Sequence, residues 1–210
     1  MIMLVCLALS LIIGYVRGGR LSHYLHAPLR GVLLPIAAYA LEFSFNWLET
    51  WLPWPPSAWL GPAVCVEYAL ILAFVWLNRS RDAFWLIALS SLCNFAAIAA
   101  NGFRMPISPI VYEHPLFEGI VERVGAGEMV EYVLVGWDAP LWWLGDTIPV
   151  LWGIPGLASL GDLGIAVGMF QLIQEIMCPK RHAGHGRDEY LSARERAQMR
   201  ARRARGERYD

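Results

Sequence analysis

Five long apolar segments constrain the fold of this chain more than any other feature. They cover roughly residues 1–16, 31–47, 60–77, 83–100 and 160–177. A helix that crosses the hydrocarbon core of a bilayer needs about 20 mostly apolar residues, since no water is present there to satisfy the backbone. The composition agrees, because 57% of the residues are hydrophobic and only 17% are charged. We therefore predict an all-α fold, a polytopic membrane helix bundle with five transmembrane helices.

The distribution of basic residues predicts the orientation of this bundle. Arginines flank the loops that follow the first and third segments: Arg17, Arg20, Arg30, Arg79 and Arg81. Ten of the 17 Lys and Arg residues lie in the C-terminal tail, residues 179–210. Cytoplasmic loops carry an excess of Lys and Arg. We therefore expect a multi-pass protein of the plasma membrane with its N-terminus outside and its C-terminus in the cytoplasm.

The chain divides into a transmembrane domain, residues 1–178, and the basic cytoplasmic tail, residues 179–210. Each arginine near a membrane surface contributes about 1 kcal/mol of attraction to anionic lipid headgroups. No aromatic residue is interleaved in the arginine-rich run of residues 194–208 for stacking on bases. We therefore expect the tail to bind anionic lipid headgroups rather than nucleic acid.

The loop of residues 101–159 is the longest polar interruption and is predicted to lie outside the cell. It contains a short amphipathic helix around Leu116–Val124, ended by Gly125. The stretch 134–157 is rich in Trp and is interrupted by Pro and Gly, so it does not suit a complete span. We expect an interfacial or re-entrant outer segment there.

Polar residues inside apolar segments are candidate ligand-binding residues, since charged groups are costly at membrane depth. Glu42 lies about 7–8 Å, and Glu67 and Asn94 about 10 Å, below the predicted outer edge, at about 1.5 Å per residue. Asn101 and Arg104 follow in the motif "NGFRMPIS". We expect all five to line one polar pocket in the outer leaflet. The alternative is structural: hydrogen bonds between helices, and pairing of the glutamates with Arg104 or with each other through a shared proton.

Two further carboxylates, Asp146 and Asp162, flank the stretch "GDTIPVLWGIPGLASLGD". Adjacent carboxylates that share a proton can divide the roles of general acid and base. The local pattern "SLGD" also matches a capping box, in which Asp162 only starts a helix. Asp146 in "GDTIP" is equally suited to a turn. The two aspartates are catalytic candidates only if their carboxyl groups meet.

Four motifs, "RGGRLS", "NGFRMPIS", "LGDTIP" and "LASLGDLGIAVGMF", resemble a bacterial family of small five-span membrane proteins with no established function. The resemblance extends to about residue 177 and implies a bacterial inner-membrane location. A second, weaker similarity is to the lipoprotein signal peptidases, membrane enzymes with two aspartates at the outer face. Asp146 and Asp162 would take those positions, but the Asn-x-x-Asp-Arg signature is absent from this sequence.

No phosphate-binding loop, nucleophile elbow or metal-ligand spacing occurs, so we expect no cofactor and no metal. The favoured hypothesis is a non-catalytic component that binds a lipid, a small ligand or a partner subunit in the outer pocket. The alternatives are an intramembrane aspartyl hydrolase and a small-solute transporter.

Overall fold

The computed structural model of the protein describes residues 2–22, 28–49, 57–151 and 156–178. All five apolar segments form helices, and two short helices lie between the fourth and the last of them. The helices are α1 (Ile2–Val16), α2 (Leu33–Glu49), α3 (Ser57–Leu77), α4 (Asp82–Ala100), α5 (Pro109–Tyr112), α6 (Glu118–Gly125) and α7 (Leu160–Met177). Helix α6 confirms the amphipathic helix expected around Leu116–Val124, with a start two residues later.

Three of the described helices are long and apolar enough to cross a membrane, which suggests a membrane location. They are α4, α7 and the Ala58–Leu77 part of α3. Helix α1 and the apolar Leu33–Ser44 part of α2 are shorter than such a span. The number of five spans is therefore not confirmed, because two segments are helical but short. The basic tail, residues 179–210, lies outside the described residues.

The all-α prediction is wrong for the segment between α4 and α7, which contains a four-stranded sheet. The strands are β1 (Met105–Ile107), β2 (Tyr132–Leu134), β3 (Asp146–Val150) and β4 (Gly156–Ser159), in the spatial order β2-β1-β3-β4. Strand β1 pairs in parallel with β2 and β3, whereas β3 and β4 are antiparallel. Because these runs are extended, their backbone groups pair between neighbouring strands rather than within one segment.

The sheet is covered by a small hydrophobic core of its own. Ile107, Val111, Phe117 and Val124 form this core, and Leu157 packs against it from β4. Ile107, Val111 and Phe117 are fully buried. The segment between α4 and α7 is thus a folded unit that contacts α4 through β1 and α7 through β4.

The five apolar helices contact one another as a row of neighbours. Helix α1 packs on α7, α7 on α4, α4 on α3, and α3 on α2. The contact between α4 and α7 is close because Gly161 and Gly164 of α7 face Asn94 and Ser90 of α4, and a Cβ atom at either glycine would collide with those side chains. Small residues at helix contacts are typical of membrane bundles.

Helices α1 and α7 are joined by polar contacts. The Gln174 amide donates hydrogen bonds to the backbone oxygen of Ser10 at 2.6 Å and to Ser10 Oγ at 3.2 Å. The Gln174 carbonyl oxygen accepts a 2.9 Å hydrogen bond from Arg17. Through this contact, α1 is attached to the helix that carries Asp162 at its other end.

Candidate functional site

A cavity of about 240 Å³ lies where helices α2, α3, α4 and α7 meet the sheet. Five acidic side chains line it: Glu42, Glu67, Glu131, Asp146 and Asp162. Of the described residues that line the cavity, none is Lys, Arg or His. The cavity therefore concentrates acidic groups at a place where the described chain supplies no compensating cation.

One wall of the cavity comes from α2 and α3. Leu60, Ala63, Val64, Glu67 and Tyr68 follow helical spacing and so lie on one face of α3. Helix α2, which packs on α3, adds Leu41 and Glu42. This wall is apolar apart from the two glutamates and the tyrosine hydroxyl.

The opposite wall is built around the start of α7. Ser159 Oγ accepts a 2.9 Å hydrogen bond from the backbone N–H of Asp162, and Asp162 Oδ2 accepts one at 3.0 Å from the backbone N–H of Ser159. This reciprocal pair is a capping box, which confirms the capping interpretation of "SLGD". The helix dipole also favours a carboxylate in this first turn.

Asn94 of α4 completes the hydrogen bonding of this cap. Its amide nitrogen donates to Asp162 Oδ1 at 3.0 Å, and its amide oxygen accepts from the Ser159 hydroxyl at 2.8 Å. Both oxygens of Asp162 are thus hydrogen-bonded acceptors. Asn94 and Ser159 are buried, with 4% and 0% of their surface exposed. The cap therefore holds Asp162 in a fixed orientation at the cavity.

Asp146 is placed beside this cap by the pairing of β3 with β4. In their antiparallel register Asp146 lies opposite Ser159. Asp146 is only 4% exposed, and no hydrogen-bond partner for its carboxyl group exists within the described part of the chain. Burial, and secondarily the charge of Asp162, raise the pKa of Asp146 from its ordinary 3.8 to about 7. Asp146 and Asp162 line the same cavity in very different surroundings.

Tyr132 of β2 contributes a hydroxyl group to the same side of the cavity. Burial raises the pKa of Tyr132 above its ordinary range, and the charges of Asp146 and Glu131 raise it further. Its phenol therefore stays protonated across the physiological range and is a hydrogen-bond donor. Among the described residues the cavity thus offers donors only from neutral groups.

The structure brings together most of the predicted site residues. Glu42, Glu67 and Asn94 line the cavity, together with both aspartates. Asn101 and Arg104 are not among the lining residues. The Asn101 amide instead donates to the backbone oxygens of Ala97 at 2.8 Å and Pro140 at 2.9 Å, and so fixes the end of α4.

The structure does not contain the alternative ion pair between Arg104 and the cavity carboxylates. The described residues form an ion pair between Arg123 and Glu128, both on the exposed surface at the end of α6, and none from Arg104 to Glu42, Glu67 or Asp146. Among the described residues, no Lys, Arg or His therefore pairs with the cavity carboxylates to form a closed structural cluster.

Sequence reasoning missed three polar residues of the cavity: Tyr68, Glu131 and Tyr132. Glu131 stands in "GEMVEY", which is typical of a solvated loop, and only the parallel pairing of β1 with β2 brings it inward. Tyr68 follows Glu67 directly and shares its side of α3. That adjacency was the one signal from which Tyr68 could have been found.

Comparison with known proteins gives a family for this chain. No curated protein and no solved structure matches it. The model of the Family of unknown function (DUF5317) matches residues 26–174, a range that includes every residue lining the cavity. Because this match covers well over half of the 210 residues, the chain belongs to the DUF5317 family, whose function is unknown.

Proposed function

We propose that this protein is a non-catalytic membrane protein that binds a small, positively charged ligand in its carboxylate-lined cavity. The observation that carries the proposal is the combination of five acidic side chains and no basic one among the described residues lining the cavity. A buried carboxylate without a partner is costly, and a bound cation removes that cost. Hydrogen bonds to charged groups contribute about 1.5–3 kcal/mol each.

Asp146 is the residue that most directly supports a ligand rather than a structural role. A structural carboxylate is normally satisfied, as Asp162 is by Asn94 and by the backbone N–H of Ser159. Asp146 is almost fully buried, borders the cavity and has no such donor among the described residues. A cationic group in the cavity would supply the missing donor.

The test is binding of simple cations to the full-length protein in mild detergent, measured by isothermal titration calorimetry. The panel contains methylammonium, guanidinium, potassium and magnesium chlorides. At least one cation should bind, and Glu67→Gln and Asp146→Asn should each weaken that binding about tenfold or more. The matched controls are Glu122→Gln and Asp138→Asn, exposed carboxylates away from the cavity. Absence of binding by every cation, or equal binding by cavity and control variants, would refute the proposal.

We also propose that the cavity opens toward the outer side of the membrane, with the C-terminal tail in the cytoplasm. The arginines of the first and third loops and of the tail support this orientation. Reporter enzymes that are active on only one side of the membrane, fused after residue 210, should give a cytoplasmic signal. A signal from the outer side would reverse the orientation.

The tail's proposed partner is the anionic surface of the inner leaflet. Truncation after Cys178 removes ten basic residues and should weaken binding of the purified protein to phosphatidylserine-containing vesicles relative to phosphatidylcholine vesicles. Equal weakening for both lipids would contradict an electrostatic role.

An aspartyl hydrolase is the second candidate function, and one observation favours it. Asp146, with its raised pKa, is an acid near pH 7, and Asp162 lies at the same cavity. The capping box and Asn94 already occupy both oxygens of Asp162, so binding remains the preferred function. A fluorogenic lipopeptide substrate distinguishes the two functions. Cleavage by the unmodified protein that is lost in both Asp146→Asn and Asp162→Asn would establish the hydrolase.

A further inference from the structure

The arrangement of the cavity's acidic groups carries information about the shape of the ligand. Glu42 and Glu67 lie on the wall formed by α2 and α3, whereas Asp146 and Asp162 lie on the wall formed by β3 and α7; Glu131, the fifth acidic residue, directly precedes β2. Acidic residues alone would not define a site. The second observation is the buried Asp146 carboxyl, which borders the cavity and has no hydrogen-bond partner among the described residues.

The carboxylates are too dispersed for one compact metal ion. No group of three or more His, Cys, Asp or Glu side chains among the described residues converges closely enough to coordinate a metal. Divalent hard cations require several oxygen ligands at about 2.0–2.6 Å from one centre. Acidic groups on two walls instead match a ligand with two separate positive charges.

Half of the residues that line the cavity are apolar. They include Leu41, Leu60, Ala63, Val64, Ile98, Phe103, Met105 and Leu157. A ligand that reaches acidic groups on both walls must therefore place hydrocarbon against these side chains, since buried polar atoms need partners that apolar side chains do not provide. The volume of about 240 Å³ corresponds to roughly eight water molecules at about 30 Å³ each. A short, unbranched chain fits that space.

We propose that the ligand is an aliphatic diamine, a molecule with two primary ammonium groups joined by a short methylene chain. This inference rests on the proposed function and specifies its ligand class. One ammonium donates hydrogen bonds to Glu42 and Glu67, and the other to Asp146 and the adjacent face of Asp162. The methylenes contact the apolar side chains between them. Each ammonium has three N–H donors. It can therefore donate to two carboxylates and to one hydroxyl oxygen, such as that of Tyr68.

The test compares 1,5-diaminopentane with pentylamine, which has the same chain and one charge, by calorimetry on the full-length protein in detergent. The diamine should bind at least tenfold more tightly than pentylamine. Glu67→Gln and Asp146→Asn should each weaken the diamine at least tenfold, because each removes a partner of a different ammonium group. Asp138→Asn should leave both affinities unchanged. Glu42→Gln is the second variant for the first wall if Glu67→Gln does not fold.

Three other results would overturn the diamine while leaving cation binding intact: equal affinity for pentylamine, tighter binding of guanidinium or magnesium, or binding confined to vesicles that contain phosphatidylethanolamine. The last result would identify a lipid headgroup as the source of a single ammonium. If no cation of any kind binds, the proposed function itself fails, which is a different outcome.

Discussion

The side-chain amide of Asn94 donates a 3.0 Å hydrogen bond to Asp162 Oδ1, and this contact joins the middle of one membrane helix to the first turn of another at the edge of the cavity. The same Asn94 accepts a hydrogen bond from the Ser159 hydroxyl, whose oxygen in turn caps α7. The cap of α7 and the packing of α4 are therefore one structural unit. Residues that line the cavity also hold α4 and α7 together.

Replacement of Asn94 should destabilise the protein. Asn94→Ala removes the donor to Asp162 and leaves the buried Ser159 hydroxyl without its acceptor, which we expect to cost about 2–3 kcal/mol. At roughly 2–4 °C per kcal/mol for a chain of this size, the midpoint of thermal unfolding in detergent should fall by roughly 4–12 °C. An unchanged midpoint would mean that the hydrogen bonds contribute little. Asn101 does not line the cavity. Asn101→Ala should therefore leave the affinity for cations unaltered.

The close contact between α4 and α7 should not tolerate a methyl group at Gly161. A Cβ atom there would collide with Asn94 and its hydrogen bonds to Ser159 and Asp162. We expect Gly161→Ala to cost about 1–3 kcal/mol through overpacking. Gly119→Ala in α6 is the matched control, because its Cβ would meet open space; it should be neutral or stabilise by about 0.5–1 kcal/mol. Chemical unfolding of both variants measures the difference, and a similar loss in both would contradict the packing argument.

Asp146 should make the stability of the empty protein fall as the pH rises. Its pKa is raised in the folded state, from 3.8 to about 7, so the folded protein retains a proton that the unfolded chain releases. The stabilisation that this retained proton gives is complete below about pH 4 and is lost as the pH rises to about 7. The free energy of unfolding falls over this range by at most about 4 kcal/mol. Asp146→Asn should flatten the stability profile between these values, whereas Asp138→Asn should not. A profile with the same slope in Asp146→Asn would show that Asp146 does not titrate in this window.

Binding of a cation should strengthen as the pH rises, whereas the stability of the empty protein should fall. A proton on Asp146 competes with the ligand, and alkyl ammonium groups stay charged until about pH 10. Ionisable groups from every wall face the same cavity: Glu42, Glu67, Tyr68, Glu131, Tyr132 and Asp162. As the pH rises from 6 to 8, affinity for 1,5-diaminopentane should increase by up to about tenfold. Calorimetry at both values should give the same affinity in Asp146→Asn if Asp146 is the competing group; a persistent increase would point to another carboxylate.

The attachment of α1 can be tested through Gln174. Gln174→Leu removes the hydrogen bonds to Ser10 and Arg17, each worth about 0.6 kcal/mol in a membrane bundle. We expect amide hydrogens of α1 to exchange several-fold faster while those of α4 are unchanged, as measured by hydrogen–deuterium exchange. Gln171→Leu is the comparison, because Gln171 donates to Glu175 on its own helix. Faster exchange in both variants would mean that the contact with α1 is not specific.

The helices of this protein follow from local sequence patterns. Apolar runs of 15 to 21 residues mark α1, α2, α3, α4 and α7, since hydrophobic length is a property of consecutive residues. The cap of α7 could also be predicted from the sequence, because Ser159 and Asp162 are three residues apart and interact locally. The sequence did not show whether α1 and α2 cross a membrane, because their apolar runs fall short of a full span.

The sheet and the cavity depend on contacts between distant residues, and no local pattern encodes them. Strands of three to five residues carry almost no periodic signal, and β1 pairs with β2 across 24 intervening residues. That pairing turns Glu131 from a loop charge into a cavity residue. The register of β3 and β4 buries Asp146 opposite Ser159. Sequence alone determined which side chains are acidic and which segments are apolar. Tertiary structure decided which acids share a cavity and which of them lacks a partner, because burial and desolvation are set by the elements that pack around a group.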